Sequence, residues 1–274
     1  MIDIERLLVF DLVGPMAHFR KYYTNSSSLT YSFPPRTAIT GLLAGVLGKP
    51  RDSYYDELST ANCCIGVAIK VPVRRIMQTA NYVRTKKLNE VDGSAGPTQI
   101  PLEILVPARG PSLRYRIYFA HQDQELMDEL IDLVSQGKAY YPPYLGLAMF
   151  LGRLEMVAEV GARDLQLIAP GSAVSLDSVC CLEAVAYKGL EFKGREGERL
   201  QYIKEKMPVE FDSNRYLKAT ASYLLEQNQH KLRARMQVPV YTVSYRDRTG
   251  NDQEECISFL EPPSLPAGSE QKRG

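Results

Sequence analysis

Residues 114–137, RYRIYFAHQDQELMDELIDLVSQG, change hydrophobic period in mid-stretch, and that change decides the fold. Arg114 to Phe119 alternates with period two, the pattern of a half-buried strand. From Asp123 the period lengthens to a helical one. Asp123 is placed to cap the helix and Glu125 lies in its first turn. Leu126, Met127, Leu130, Ile131, Leu133 and Val134 form the apolar stripe, and Gly137 stands just past the end.

Toward the N-terminus, Leu7 to Val13 is a short apolar run stopped by Gly14-Pro15, which reads as a central strand. A long polar and aromatic loop follows over 17–30, with a serine run at 26–28. Residues 34–50, PPRTAITGLLAGVLGKP, then read as a helix: Pro34-Pro35 opens it, Ala38, Ile39, Leu42, Leu43, Val46 and Leu47 recur at helical spacing, and Gly48 with Pro50 closes it. Gly41 and Gly45 each cost that helix roughly 1 kcal/mol relative to Ala, so they predict close approach to another backbone. The segment is too short for a transmembrane G-x-x-x-G dimer. CCIGVAIKVPV (63–73) reads as the second strand and 148–157 as the fourth.

The resulting order, β-α-β-β-α-β, is the α+β ferredoxin-like plan, with both helices on one face of an antiparallel sheet and the other face left for a ligand or partner. No RNP1-like motif occupies the third strand, so base stacking in the RRM manner is not supported. Between the second and third strands, residues 80–113 are too long for a simple hairpin loop. They hold a basic arm, a turn-prone Asp92 to Pro97 and a returning apolar run Ile100 to Val106, and read as a projecting β-hairpin whose arms could reach about 50 Å. That apolar run is expected to need a partner surface, and replacing Asn89 to Ile104 by a short turn is expected to leave the domain folded.

The second half reads as mostly β. Residues 173–187 contain one or two strands, 188–206 are charged with Gly-flanked turns, 216–225 suit strand or helix, and 238–245 with 254–259 flank a hairpin turn. The expected organisation is a ferredoxin-like domain over 1–160, a smaller mostly β domain over 161–262, and a disordered tail over 263–274.

Composition agrees with a globular chain of one large or two small domains: 274 residues, 45% hydrophobic and 24% charged. No stretch is long and apolar enough to span a membrane, and MIDIERLLVF carries acids where a signal peptide carries positive charge, so a cytoplasmic location is expected. Cys63-Cys64, Cys180-Cys181 and Cys256 fit neither a disulfide framework nor a zinc site and read as buried small hydrophobes; His18, His121 and His230 lack ligand spacing. No metal or cofactor is expected. The net charge of +1 conceals an asymmetry: residues 1–122 hold 15 Lys+Arg against 9 Asp+Glu, and residues 123–274 hold 18 against 23. That split suggests either an anionic partner for the first half or two ordinary solvated faces.

FDLVGPMAHFR (10–20), PPRTAITGLLAGVLG (34–48) and PYLGLAMFLGRLE (143–155) together resemble the fifth family of CRISPR-associated (Cas) proteins, RAMP-fold subunits of the type I effector complex Cascade. The basic NYVRTKK and the β-rich second half look most like subtype I-B. The resemblance implies binding and capping of the 5′ handle of the mature crRNA, with a thumb hairpin set against the neighbouring backbone subunit. It further implies contact with the large subunit and, through the assembled complex, with target DNA.

Three clusters supply the phosphate-binding cations and stacking aromatics that a single-stranded RNA end requires. The first is Arg20, Lys21 and Tyr23, beside His18 and Tyr22; it also suits a solvated loop. The second is Tyr31, Arg36 and Thr37 at the opening of the first helix, where free N–H groups favour a phosphate; a helix-end arginine is the plainer reading. The third is Lys70, Arg74, Arg75, Tyr82, Arg84, Lys86 and Lys87, where alternation sets Arg74, Tyr82, Arg84 and Lys86 on one side; cations guarding an edge strand are the alternative. Tyr144 and Gly146 resemble the family's glycine loop, and also suit a turn. Subtype I-C relatives cleave precursor RNA with Tyr, Lys and His, but no Lys-His dipeptide stands at a matching place and His121 reads as structural. The expectation is a non-catalytic RNA-binding subunit. A metal-independent endoribonuclease and a protein-interaction scaffold are the alternatives.

Overall fold

The computed structural model describes residues 2–24, 28–192, 194 and 199–263. The serine run falls partly outside them, as do much of the charged stretch near 195 and all but the first residue of the expected tail. The first half contains β1 (Arg6–Gly14), β2 (Phe19–Arg20), β3 (Thr30–Tyr31), α1 (Arg36–Val46), β4 (Cys63–Ile69), β5 (Val73–Tyr82), α2 (Leu88–Val91), β6 (Thr98–Pro107), β7 (Leu113–His121), α3 (Gln124–Ser135) and β8 (Arg153–Gly161). Among the described residues the second half carries strands and two short 3-10 turns: β9 (Leu165–Ile168), β10 (Ala173–Leu176), β11 (Cys180–Cys181), β12 (Val185–Glu191), β13 (Tyr202–Phe211), β14 (Leu217–Glu226), β15 (Leu232–Met236), β16 (Val240–Arg246) and β17 (Asp252–Ile257).

The central sheet runs in the order β4-β7-β1-β8, every pair antiparallel, with Leu8 opposite Phe119, Cys63 opposite His121 and Val13 opposite Arg153. This order, with α1 after β1 and α3 after β7, is consistent with a ferredoxin-like RAMP fold. Strand β1 is buried along nearly its whole length because it lies between two neighbours and is covered on both faces. Helix α3 begins as its sequence requires: the Asp123 carboxylate accepts from the N–H groups of Glu125 and Leu126, while Leu126, Met127, Leu130, Ile131 and Val134 are buried.

The face of the sheet expected to stay open is covered. Leu7, Val9, Cys64, Tyr118 and Ala120 pack against Tyr241, Val243, Ile257 and Phe259 of the β16–β17 hairpin and its continuation. Alternation of apolar residues on both sides of β1 requires a cover on each face, and the C-terminal strands supply the second one. The main core is also continuous across residue 160, running from Phe10, Leu43 and Met127 to Cys180, Met207 and Tyr223.

Two expected elements shift. The last strand of the sheet starts at Arg153, because residues 143–152 close on themselves through Leu145 N–H to Phe150 O, Phe150 N–H to Leu147 O and Gly152 N–H to Pro143 O. The hairpin begins at Val73, well before residue 80: β5 and β6 pair without a break from Val73 opposite Pro107 to Tyr82 opposite Thr98. Ten residues per arm reach roughly 33 Å. Its apolar return is already partly buried by the chain itself. Leu102, Ile104, Leu105 and Val106 are part of the main core, and the outer edge of β6 is bridged at two points, with Ala17 bonding Leu105 in both directions and Ser28 bonding Pro101 and Glu103.

Candidate nucleic-acid interface

The cations picked out by sequence fall into two populations. Lys21, Arg36, Lys70 and Arg75 are engaged by the fold itself. Lys21 Nζ donates to Glu205 Oε2 at 2.7 Å and lies over the Tyr31 ring. Arg75 donates to Glu205 Oε1 at 2.9 Å and to the Ser32 hydroxyl. Lys70 Nζ reaches Glu255 Oε1 at 2.7 Å. Arg36, only 2% exposed, donates from Nε to Glu261 Oε1 at 2.6 Å and from its terminal nitrogen to the Cys63 carbonyl.

These four cations lie in residues 1–122, and the carboxylate nearest each of them lies in residues 123–274. Arg116 spans the halves in the same way, holding Asp11 on its own side and Glu255 on the other. Much of the charge asymmetry is therefore satisfied internally, where opposite charges join the two halves of the chain. Burial pushes Glu255 up, but the Lys70 ammonium and the hydroxyls of Tyr245 and Tyr118 outweigh it and hold the carboxyl at about 2. Tyr31 is likewise internal, fully buried with its hydroxyl donating to the Lys206 carbonyl at 2.8 Å. The opening of α1 thus carries no exposed arginine: packing against the C-terminal segment turns Arg36 inward, and it does not reach a surface ligand.

The second population is exposed. Arg20, Tyr23 and Tyr144 are at the surface, and Thr37 is half-buried. On the hairpin, Arg74, Tyr82, Arg84, Lys86 and Lys87 are exposed, with Arg74 and Tyr82 on the same side of an unbroken β5. Arg84, Lys86 and Lys87 lie beyond the paired arms, where the Glu90 carboxylate accepts from the N–H groups of Lys86 and Lys87.

Arg20, Thr37, Tyr144 and Gly146 come together around a groove between α1 and the 140–147 loop, and the hairpin cations do not join them. The loop is docked by His18 N–H to Leu145 O at 3.0 Å, and Gly146, at φ +89°, presses so closely on the His18 carbonyl that a Cβ there would lie 1.9 Å from its oxygen. Two cavities make up the groove. One, of about 550 Å³, lies between Gly41, Gly45, Tyr54 and Tyr141, with Lys49 and Arg51 at its lining. The other, of about 370 Å³, lies between Arg20, Tyr22, Tyr55 and Arg215. Phe19, Thr37, Tyr54 and Gly146 border both.

Sequence reading missed Tyr54, Tyr55, Arg51, Arg215 and Tyr141. The signal available was the pair of Tyr-Tyr dipeptides, 54–55 and 140–141, the first close behind Arg51. Gly41 and Gly45 were expected to admit another backbone. What lies over Gly41 is the Tyr54 hydroxyl; over Gly45, the Tyr141 side chain comes near while the Tyr141 N–H donates to the Gly45 carbonyl at 3.2 Å.

His18, His121 and the cysteines serve the fold. His18 is buried, its Nδ1 2.6 Å from the Glu103 carbonyl and its Nε2 beside the Ser28 hydroxyl, and burial lowers its pKa. His121 contacts the Glu57 carbonyl through Nε2 and accepts from the Asp123 N–H through Nδ1. Burial pushes the Cys63 and Cys180 thiols up to about 12, so neither presents a thiolate near neutral pH. Among the described residues no group of three or more His, Cys, Asp or Glu could hold a metal ion, and no helix is long and apolar enough to cross a membrane.

No curated protein matches the chain. Among solved structures, a CRISPR protein from Archaeoglobus fulgidus aligns with a TM-score of 0.53 at 13% identity, over 93% of this chain and 99% of that one, a likeness of fold. A chain from a CRISPR RNA-guided surveillance complex aligns with a TM-score of 0.48 at 16% identity, over 85% and 91% of the two chains. The family described as "CRISPR-associated protein (Cas_Cas5)" matches residues 7–220, and the chain belongs to that family.

Proposed function

We propose that this chain is a non-catalytic subunit of a type I CRISPR effector complex, of the I-B kind, that holds the 5′ handle of the crRNA. The observation that carries the reading is the groove beside the Gly146 loop. It combines stackable aromatic rings with exposed guanidinium groups, the two features by which proteins hold single-stranded RNA. Arg20, Arg51 and Arg215 take phosphates, and Tyr54, Tyr55 and Tyr144 offer ring faces to bases. The β5–β6 hairpin serves as the thumb: Arg74, Arg84, Lys86 and Lys87 follow the guide, and Val83, Leu88 and Val91, all exposed near its tip, meet the adjacent backbone subunit. Contact with the large subunit, and with target DNA through the assembled complex, completes the proposed set of partners. The division at residue 160 is a proposal about chain organisation and not about independent folding, since one core serves both parts.

Sequencing the small RNA that co-purifies with the chain from cells carrying its CRISPR array tests the reading. A population sharing one 5′ end supports handle capping; absence of bound RNA refutes it. Incubating the purified chain with repeat RNA in EDTA separates the enzymatic alternative, because only a metal-independent endoribonuclease would yield specific cuts.

A further inference from the structure

We propose that the larger cavity is a seat for one unstacked nucleobase, laid along α1 between Tyr54 and Tyr141. The proposal rests on the single-stranded RNA reading above and adds which part of the strand enters and where. The cavity, at about 550 Å³, falls within the roughly 300–1,000 Å³ of ordinary small-ligand sites. Tyr54 borders both cavities and leans on Tyr55 with ring centroids 4.7 Å apart, so the tyrosine pair forms an aromatic wall between them and braces the ring that the base would meet.

The floor fits a flat occupant. A Cβ at Gly41 would lie 3.1 Å from the Tyr54 hydroxyl, so the fold itself accounts for that glycine. A Cβ at Gly45 would meet nothing nearer than 3.9 Å, so alanine would fit there and suit the helix better. Glycine at 45 costs the helix and keeps the floor of the cavity open.

Charge selects the occupant. Lys49 and Arg51 line one cavity, Arg20 and Arg215 the other, and among the described residues neither is lined by an aspartate or glutamate, the carboxylates that oppose these cations being Glu57, 2.9 Å from Lys49, and the one Asp52 that Arg51 and Arg215 share. The cavities at Asp177, at Glu191 and at Asp164 all carry acids. An apolar ligand alone would have no use for four cations, and a phosphate alone none for the tyrosine walls. A planar base on a phosphodiester strand uses both.

The test compares wild type with Gly45→Leu, which sends an aliphatic side chain into the seat without removing a charge. The probes are fluorescent eight-nucleotide single-stranded RNAs of one base each, and a base-free ribose-phosphate octamer of equal charge. Wild type should bind the best of the four RNAs about tenfold more tightly than the base-free strand, the scale of one stacked base. Gly45→Leu should lose that preference, keep the wild-type salt slope, and melt no lower than wild type. Tyr54→Ala, which opens the wall, should lose the same preference and guards against misfolding of the leucine variant.

Wild type that binds RNA with a steep salt slope yet shows no preference for bases would overturn the base seat and leave the handle reading standing. Wild type that binds no strand would overturn both. If Gly45→Leu binds RNA normally but fails to enter the effector complex, the cavity belongs to a protein segment and the proposal is wrong.

Discussion

The junction between the two halves of the chain and the groove beside α1 draw on the same residue types and put them to opposite uses. At the junction, Arg36, Lys21, Lys70 and Arg75 each meet, within 3 Å, a carboxylate that is itself largely withdrawn from solvent. At the groove, Arg20 is exposed and donates to the Thr24 carbonyl, while Arg51 and Arg215 share the single carboxylate of Asp52 at the surface. A cation facing a buried carboxylate is costly to unpair and does little for a ligand. An exposed, under-neutralised cation contributes little to folding and is available to a polyanion. Stability and RNA affinity should therefore separate cleanly between the regions.

The sharpest break is at Arg36. Arg36→Ala leaves the Glu261 carboxylate buried without its partner, a change that costs about 3–5 kcal/mol in comparable settings. Urea unfolding should show a lower midpoint of that size, while the fraction still folded binds RNA with wild-type affinity. Loss of RNA affinity without loss of stability would move Arg36 from the junction to the interface.

Next in size is the acid response of Glu255. Its carboxyl is held at about 2 in the fold against an ordinary value near 4.5, so its contribution is complete above pH 4.5 and is lost as pH falls from there toward 2. The loss amounts to about 3 kcal/mol. Chemical denaturation across that window should show the fall, and Glu255→Gln should start lower at neutral pH and flatten it. An unchanged acid limb in the variant would mean that Lys70, Tyr118 and Tyr245 do not set this carboxyl.

The difference between the regions also explains what could be read from sequence. The strand and helix order was legible because period and caps are local: Asp123 caps α3 in the structure as its spacing implies, and β7 alternates as RYRIYF does. The hairpin was legible from its length and turn residues, but its root was not, since Leu105 is bridged by Ala17 and packed into the main core, contacts distant in sequence. Which cations are consumed was invisible. Arg36 and Glu261 are 225 positions apart, and no local pattern ties them. Tyr54 and Tyr141 escaped because they lie in aperiodic connections that meet only across α1.

A cut through the hairpin sharpens the comparison further. Replacing 84–97 by a Gly-Ser turn removes a segment that is exposed almost throughout, so thermal stability should change by less than about 1 kcal/mol while incorporation into the effector complex fails. Extending the cut to Ile104 removes Leu102 and Ile104 from the core, at about 2–5 kcal/mol for each large side chain removed, and should unfold the domain. The replacement of Asn89 to Ile104 expected from sequence to be harmless is thus too long. Normal assembly of the short-tip variant would remove the thumb assignment.

The smallest effect on stability belongs to the groove's own charges, and it is the most informative for function. Arg20 and Arg215 line the same cavity but sit on elements far apart in sequence, and both side chains reach solvent. Arg215 stands 3.5 Å from Asp52, an exposed pair of the kind worth well under about 1 kcal/mol. Arg20→Ala with Arg215→Ala should therefore unfold within about 0.5 kcal/mol of wild type. Each phosphate left without its arginine should lower the slope of log affinity against log salt by roughly 0.7 for a single strand, so the pair should lower it by roughly 1.4. The same pair of substitutions on the hairpin, Arg74→Ala with Arg84→Ala, should leave the slope for a short isolated strand unchanged and alter it only in the assembled complex, where the guide continues past the groove. Equal changes of slope from both pairs on the short strand would erase the distinction between groove and thumb, and no change from either would return all four arginines to ordinary solvated surface.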